Sequence, residues 1–289
     1  MSDIEEYLEF LLKRNRKTNT VEVYRSRLRR SLSVLEKNGM ETQIERISEK
    51  ELWFLVSNMP GKESNVRMNI WTLNKCIEFF TGENLLEKMD ILWNRPKPER
   101  LFITNDEFRR MYIIADPKER MILMLGAAMG LRRSEIWKLK LVDIKNDVLT
   151  IRGKGHGRDG LVVTMKMPTA VLNELKTYKQ WRSSFSGKDH SEGRLIVYKD
   201  WDDNISTYKK DKYLYDVIYS LAKRAGIRAT PHSLRRLFCT ELHENGCGDI
   251  MLSELMRHSS TNLLKIYINV NEQKKNAELE DMSCRLVKL

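Results

Sequence analysis

Strand-forming sequence is concentrated in one stretch of this 289-residue chain. Val148-Leu149-Thr150-Ile151 and Leu161-Val162-Val163-Thr164 flank the loop Gly153-Lys154-Gly155-His156-Gly157-Arg158-Asp159-Gly160. Two apolar, β-branched runs about a glycine-rich centre predict a β-hairpin with Lys154 at its tip. A second, shorter strand signal lies at Leu195–Tyr198. Elsewhere the apolar residues mostly recur at helical spacing. The expected fold is mainly α with a small antiparallel β-sheet.

The helical pattern divides in two. Ile4, Tyr7, Leu8, Leu11 and Leu12 predict a first helix over 3–15. A second spans about Asn19 to Lys37, with Val23, Leu28, Leu32 and Leu35 as its apolar positions. Ser48-x-x-Glu51 is a capping box that opens a third helix, ended by Pro60-Gly61, and a fourth covers Ser64 to Phe80. Trp93-Asn94-Arg95-Pro96-Lys97-Pro98-Glu99-Arg100 cannot continue a helix, since two prolines restrict both themselves and the residues before them. The expected organisation is a helical module over 1–92, a linker over 93–100, a second domain over 101–270 and a tail over 271–289. Thr104-x-x-Glu107 restarts helical structure, and an apolar helix over 119–129 ends at Gly130. In the tail, Leu279, Met282 and Leu286 fall at helical spacing, which suits docking on a neighbouring copy or packing on the chain's own domain.

Charge separates the two parts further. Lys plus Arg total 51 against 40 Asp plus Glu, a net charge of +11. Residues 1–90 balance to zero, so the whole excess lies beyond them. A basic excess of this size suits an anionic partner, nucleic acid above all. Within the balanced part, the run from Lys13 to Arg30 still gathers eight bases (Lys13, Arg14, Arg16, Lys17, Arg25, Arg27, Arg29 and Arg30) against Glu22. Such a run can track a phosphate backbone; a solvated helix face would carry the same residues. The start, MSDIEEYLEF, lacks a signal-peptide core, no apolar run approaches membrane-spanning length, and four cysteines show no framework spacing. These features lead to the expectation of a reduced, cytoplasmic, DNA-associated protein with no membrane partner.

The chemistry-bearing residues lie in the basic part. Arg132 follows Gly130-Leu131, with Glu135 one helical turn on, placed to hold its guanidinium. His232 and Arg235 share a helical face, and His258 and Tyr267 follow. Attack on a phosphodiester requires a nucleophile, cations for the non-bridging oxygens, and an acid for the leaving oxygen. Guanidinium forks suit the second task. A phenol, whose ordinary pKa is about 10, needs a cationic setting to act as the first. Lys154 is a candidate for the third, although a turn lysine between glycines needs no such role. Arg133 and Arg236 adjoin Arg132 and Arg235; spacing from Gly130 and from His232 selects the latter pair.

Taken together, these motifs resemble the tyrosine recombinase family, the Xer-type and phage-type integrases. Gly130-Leu131-Arg132 with Ser134-Glu135 matches its first arginine segment, Gly153-Lys154-Gly155 its hairpin lysine, His232-Ser233-Leu234-Arg235 its second cluster, and Met256-Arg257-His258-Ser259 its Leu-Gly-His-Ser, with Tyr267 at the nucleophile's distance. Asn19-Thr20 with Tyr24 fits a motif of the family's N-terminal domain. Arg257 stands where that pattern has glycine, which would alter the local turn. The resemblance is strong over 101–270 and weaker over 1–90. It implies a helical DNA core-binding domain followed by a mixed α/β catalytic domain. It further implies cutting and rejoining of double-stranded DNA at a specific recombination site through a 3′-phosphotyrosyl link to Tyr267. Arg132 and Arg235 would clamp the phosphate and His258 hydrogen-bond to it. His232 would assist proton transfer at the tyrosine, and Lys154 would protonate the leaving oxygen. No ATP, metal or other cofactor is implied; four protomers would assemble on DNA, from protein that could be monomeric in solution. A non-cutting DNA-binding regulator of the same fold and a type IB topoisomerase are the alternatives.

Two other motifs lead nowhere. Cys239, His243 and Cys247 fall at zinc-like helical intervals but lack a fourth ligand, and Gly246 is expected to end the helix before Cys247. The glycine-rich hairpin lacks the Gly-Lys-Ser/Thr and the following helix of a phosphate-binding loop.

Overall fold

In the computed structural model the first helices form where apolar residues line one side of the chain. α1 (Asp3–Lys13) buries Tyr7, Leu8 and Leu11, and α2 (Thr18–Lys37) buries Val21, Leu28, Ser31 and Leu35. Val21 rather than Val23 faces inward, and Val23 is 46% exposed. A step of seven residues from Leu28 returns to the same face, whereas a step of five swings about 140° away. α3 (Glu49–Asn58) opens on the Ser48 capping box, where the Glu51 carboxylate accepts from the Ser48 backbone N–H at 3.0 Å. α4 (Glu63–Thr81) and the short α5 (Leu85–Lys88) complete the set. Leu28, Leu35, Leu52, Leu55, Ile70 and Leu73 are wholly buried in one shared core, each such side chain contributing about 1.5–3 kcal/mol.

The structure describes residues 3–93, 100–153 and 162–257. The chain divides into two compact units, Met1–Pro98 and Glu99–Leu289. In the second, α6 (Asn105–Ile114) and α7 (Pro117–Ala127) each begin with a capping box. Thr104 Oγ1 accepts from the Glu107 N–H at 3.2 Å, and Asp116 accepts from the Glu119 N–H at 2.7 Å. α7 is buried on nearly every side, Met121 to Leu125 included. It packs against α9 (Thr169–Ser183) and α11 (Pro231–Glu244). Gly126 permits the second contact: a Cβ there would lie 3.0 Å from Leu234 Cδ1.

Between these helices run α8 (Arg133–Lys138) and an antiparallel sheet of β1 (Ile144–Lys145), β2 (Val148–Arg152) and β3 (Val162–Lys166), in that order. Ile151 stands opposite Val163, and Leu149 and Ile151 are the buried residues of β2, the alternation of a half-covered strand. The hairpin therefore gains a third, two-residue strand. A second small sheet pairs β4 (Tyr198–Lys199) with β5 (Ile205–Ser206). The strand expected over Leu195–Tyr198 is met only at its last residue. Leu195, Ile196 and Val197 are buried, but the Leu195 N–H donates to the Leu139 carbonyl at 2.8 Å and the Val197 N–H to the Tyr178 hydroxyl at 3.1 Å. Those amides are satisfied by a helix end and a side chain instead of a ladder.

α10 (Lys212–Arg224), α11 and α12 (Asp249–Leu255) finish the described chain. Cys239 packs with Phe238, Leu252 and Met256 in a small apolar cluster. Past α11, Gly246 takes a φ of +83° and Cys247 lies beyond the helix. Among the described residues, no helix is long and apolar enough to cross a membrane.

Candidate active site

The site is built on the turn after α7. Gly130 has a φ of +58°, and a Cβ there would lie 2.6 Å from Cε1 of the Phe238 ring on α11. Backbone conformation and space thus each require glycine. The turn delivers Arg132 to the N-cap of α8. Glu135, at the third helical position, reaches back: its Oε2 accepts from the Arg132 backbone N–H at 2.8 Å, and its Oε1 from Arg132 Nη1 at 2.8 Å. One buried carboxylate therefore satisfies a helix-end donor and orients a guanidinium.

The other half comes from the first turn of α11, set by Thr230 as N-cap and Pro231 at the first position. His232 and Arg235 stand on this turn. Arg235 is wholly buried; its Nη1 donates to the Gly130 carbonyl and its Nη2 to the Met256 carbonyl. Arg132 Nη2 donates to the Arg257 carbonyl at 3.2 Å. Arg132 and Arg235, distant in sequence, thus meet the same short segment, Met256-Arg257. Their neighbours diverge. Arg133 Nε donates to Asp211 at 3.0 Å, while Arg236 Nη1 donates to the Leu101 carbonyl at 3.0 Å, its guanidinium 5.5 Å from the centre of the Phe102 ring.

A third guanidinium enters at Arg257, which the sequence marks only as a departure from the family pattern. Arg257 has a φ of +53°, so it adopts the left-handed turn that favours glycine instead of altering it. Its side chain is buried, with Nη2 donating to Glu135 Oε2 at 2.9 Å and to the Gly130 carbonyl at 2.8 Å. Its sequence signal is the departure from the family's glycine; Glu135 and Gly130, which it meets here, lie more than a hundred residues away.

Electrostatics follow from this packing. Burial raises the Glu135 carboxyl, but the Arg257 charge, the Arg132 backbone N–H and the Arg132 charge outweigh it and keep the pKa below its ordinary value. Glu135 is therefore an anion at neutral pH. His232 has an edge open to solvent, yet the atoms packed about its ring, then the charges of Arg236, Arg235, Arg133 and Arg132, hold it below its ordinary 6.5. Its imidazole is neutral at pH 7 and able to accept a proton.

Lys154, His258 and Tyr267 lie outside the described residues. Lys154 directly follows Gly153 at the end of β2, and His258 directly follows Arg257. The basic residues of the first unit sit at its surface. Arg25 pairs with Glu5 at 2.7 Å and Glu22 at 2.6 Å, and Arg29 reaches Glu5 at 3.5 Å. Arg30 donates to the Pro60 carbonyl at 2.8 Å, and Arg14 lies 4.8 Å from the centre of the Phe10 ring. Lys13 and Lys17 flank the turn between α1 and α2 with Arg16; Lys13, Arg16 and Arg27 have no carboxylate partner among the described residues.

Comparison with known proteins supplies the rest. Residues 101–274 match the phage integrase family. The chain is 30% identical over 278 residues to tyrosine recombinase XerA of Thermococcus onnurineus, covering 92% of this chain and 90% of the relative. It is 23% identical to tyrosine recombinase XerC of Oceanobacillus iheyensis, covering 93% and 92%. In fold it is similar to a crystal structure of a lambda integrase (75-356) dimer bound to a COC′ core site, with a TM-score of 0.70 at 17% identity over 92% of this chain and 94% of that one. A crystal structure of XerA recombinase aligns with a TM-score of 0.53 at 20% identity, covering 98% and 97%. The chain belongs to the phage integrase family and is a tyrosine recombinase, an enzyme of site-specific DNA recombination.

Proposed function

We propose that the chain cuts and rejoins double-stranded DNA at a specific site through a 3′-phosphotyrosyl intermediate formed by Tyr267. The observation that carries this reading is the convergence of Arg132 and Arg235 on Met256-Arg257, immediately before His258. Two guanidiniums held on one side of the segment that leads to the histidine and the tyrosine suit a phosphate whose non-bridging oxygens gain charge during attack. The Tyr267 hydroxyl attacks phosphorus, its proton passing towards neutral His232. The 5′ oxygen leaves with a proton from Lys154, and His258 hydrogen-bonds the phosphate. A 5′ hydroxyl from a partner duplex then attacks phosphorus, releases the phenol and restores a phosphodiester. The ester link conserves the bond energy, so the residues balance the step without ATP or metal. Residues 1–92 act as the core-binding domain, with the Lys13–Arg30 bases along the backbone, and four protomers assemble on two sites.

The test has two stages. DNA retained by Tyr267→Phe protein from a random-sequence pool is recovered and sequenced to define the site. A duplex carrying that site, nicked beside the scissile phosphate, then traps covalent protein, because the released fragment diffuses away. Wild-type protein is expected to accumulate the covalent species and Tyr267→Phe protein none, with binding retained. Cleavage that survives the substitution sinks the assignment of Tyr267. Binding without cleavage by wild-type protein points to a regulator, and relaxation of any supercoiled plasmid to a topoisomerase.

A further inference from the structure

We infer that Arg257 is a positioning residue for the recombinase reaction: it holds Glu135 and the Gly130 carbonyl so that Arg132 and Arg235 present fixed, incompletely neutralised guanidiniums to the scissile phosphate. The inference rests on the strand-cleavage reading given above.

Position comes first. Arg257 Nη2 reaches both Glu135 Oε2, at 2.9 Å, and the Gly130 carbonyl, at 2.8 Å, while its Nη1 is tied to the Leu255 carbonyl at 2.9 Å. Glu135 Oε1 is the acceptor for Arg132, and the Gly130 carbonyl is an acceptor for Arg235. Arg257 thus touches the anchors of both arginines. Charge comes second. Two guanidiniums share a single carboxylate, so Glu135 divides its negative charge between Arg132 and Arg257. Arg132 is held without being fully neutralised, which leaves it more attraction for a phosphate. A carboxylate given wholly to Arg132 would compete with the phosphate for the same fork.

Local costs speak against a merely tolerated residue. The backbone is left-handed, at a φ of +53°. The charge is buried, and the Arg257 Nε is without a hydrogen-bond partner among the described residues. A glycine would carry none of these burdens, and local strain of this kind gathers at functional sites.

Arg257→Gly is therefore the informative variant, because it relieves the backbone while removing the guanidinium. With the nicked duplex defined above and protein in excess, the rate constant of covalent-complex formation is expected to fall about 10- to 100-fold, the size of effect a misplaced reacting group produces. The dissociation constant for intact duplex should change less than about twofold, since one internal arginine adds little to a backbone of phosphate contacts. Arg257→Lys, with one ammonium unable to serve both anchors equally, should cleave at an intermediate rate. In a Glu135→Gln background the glycine substitution should cost several-fold less than in the wild-type background, the remainder running through the Gly130 carbonyl to Arg235. Melting temperatures of every variant accompany the rates; where the glycine variant melts below the assay temperature, the lysine variant decides. Wild-type cleavage rates in either variant overturn the inference, as does a parallel loss of affinity and rate, which marks a purely structural role. Equal costs with and without Glu135 overturn the route through that carboxylate. Absence of covalent complex with wild-type protein overturns the cleavage reading and this inference together.

Discussion

Arg25 on α2 and Arg257 beyond α12 each meet a carboxylate, at 2.7 and 2.9 Å, yet 27% of the Arg25 side chain is open to water and 2% of that of Arg257. The same ion pair has different meanings in the two settings. At the surface of the first unit, water and salt screen the pair and the arginine can exchange partners. Inside the second unit no water takes the place of a lost carboxylate: removing Glu135 strands the buried Arg257 charge at a cost of about 3–5 kcal/mol, whereas removing Arg257 leaves Glu135 paired with Arg132. On the proposed reading, the first arrangement suits contact with many alternative phosphates, and the second suits holding Arg132 in one geometry.

The contrast is broken most severely at Arg235. With no exposure and donors directed to the Gly130 and Met256 carbonyls, it has no replacement. Arg235→Ala is expected to lower the cleavage rate constant about 100- to 1,000-fold, as removal of a preorganised donor does. A single-turnover assay on the nicked duplex measures it. A loss below about tenfold would remove Arg235 from the phosphate clamp.

Glycines sharpen the same contrast in folding energy. Gly39 in the first unit and Gly130 in the second share positive φ, +66° and +58°. Around Gly39 nothing lies within 4 Å of an added Cβ, whereas at Gly130 the Phe238 ring occupies that space. Gly39→Ala should therefore cost about 1 kcal/mol, the backbone effect alone. Gly130→Ala adds overpacking, for a total of about 2–4 kcal/mol. Thermal unfolding compares the two, and equal shifts would mean that the ring moves aside without cost.

How much of this could be read from residue order differs with distance along the chain. The Ser48 and Thr104 capping boxes, and the hold of Glu135 on Arg132, involve residues three apart, where helix geometry alone fixes the neighbours. The hairpin register follows from alternation in the same way. Val23 falls outside the inward stripe for a reason residue order already holds: it stands five residues from Leu28, about 140° round the helix, whereas buried Val21 stands seven. The run at Leu195 imitates a strand in sequence because it is buried, while its amides go to the Leu139 carbonyl and the Tyr178 hydroxyl, which residue order does not reveal. Arg257 was legible only as a departure from a pattern, since its partners Glu135 and Gly130 are brought near by the packing of α7, α8 and α11.

Acidity offers a gentler probe of the buried side. Packing about the His232 ring, and then its neighbouring guanidiniums, favour the neutral imidazole, so its folded pKa lies below 6.5. As the acceptor of the tyrosine proton it would be competent above that pKa and lost below it. The cleavage rate should therefore hold through pH 6.5 and fall only in more acidic solution. The matching stability contribution is fully present above the unfolded value and disappears as pH drops through the folded one. A pH–rate profile between about 5 and 8 tests the sign. An acid limb centred above 6.5 would show that another group controls the step.

The smallest expected effects lie on α2, where they separate the surface arginines from one another. Arg27 has no carboxylate partner among the described residues, whereas Arg25 is engaged by Glu5 and Glu22. A phosphate approaching Arg25 must displace those carboxylates; one approaching Arg27 displaces only water and counterions. On the proposed reading, Arg27→Ala should weaken binding to the recovered duplex about 3- to 10-fold and reduce the slope of log affinity against log salt by about 1. Arg25→Ala should change affinity and slope less, with cleavage of bound DNA unaltered in both. Titrations at several salt concentrations measure the slopes. A larger effect at Arg25 would mean that its carboxylates let go on contact with DNA, so that the pair stores the arginine until phosphate arrives. It would also bring the surface arrangement closer to the buried one, where Glu135 holds Arg132 ready without consuming its charge.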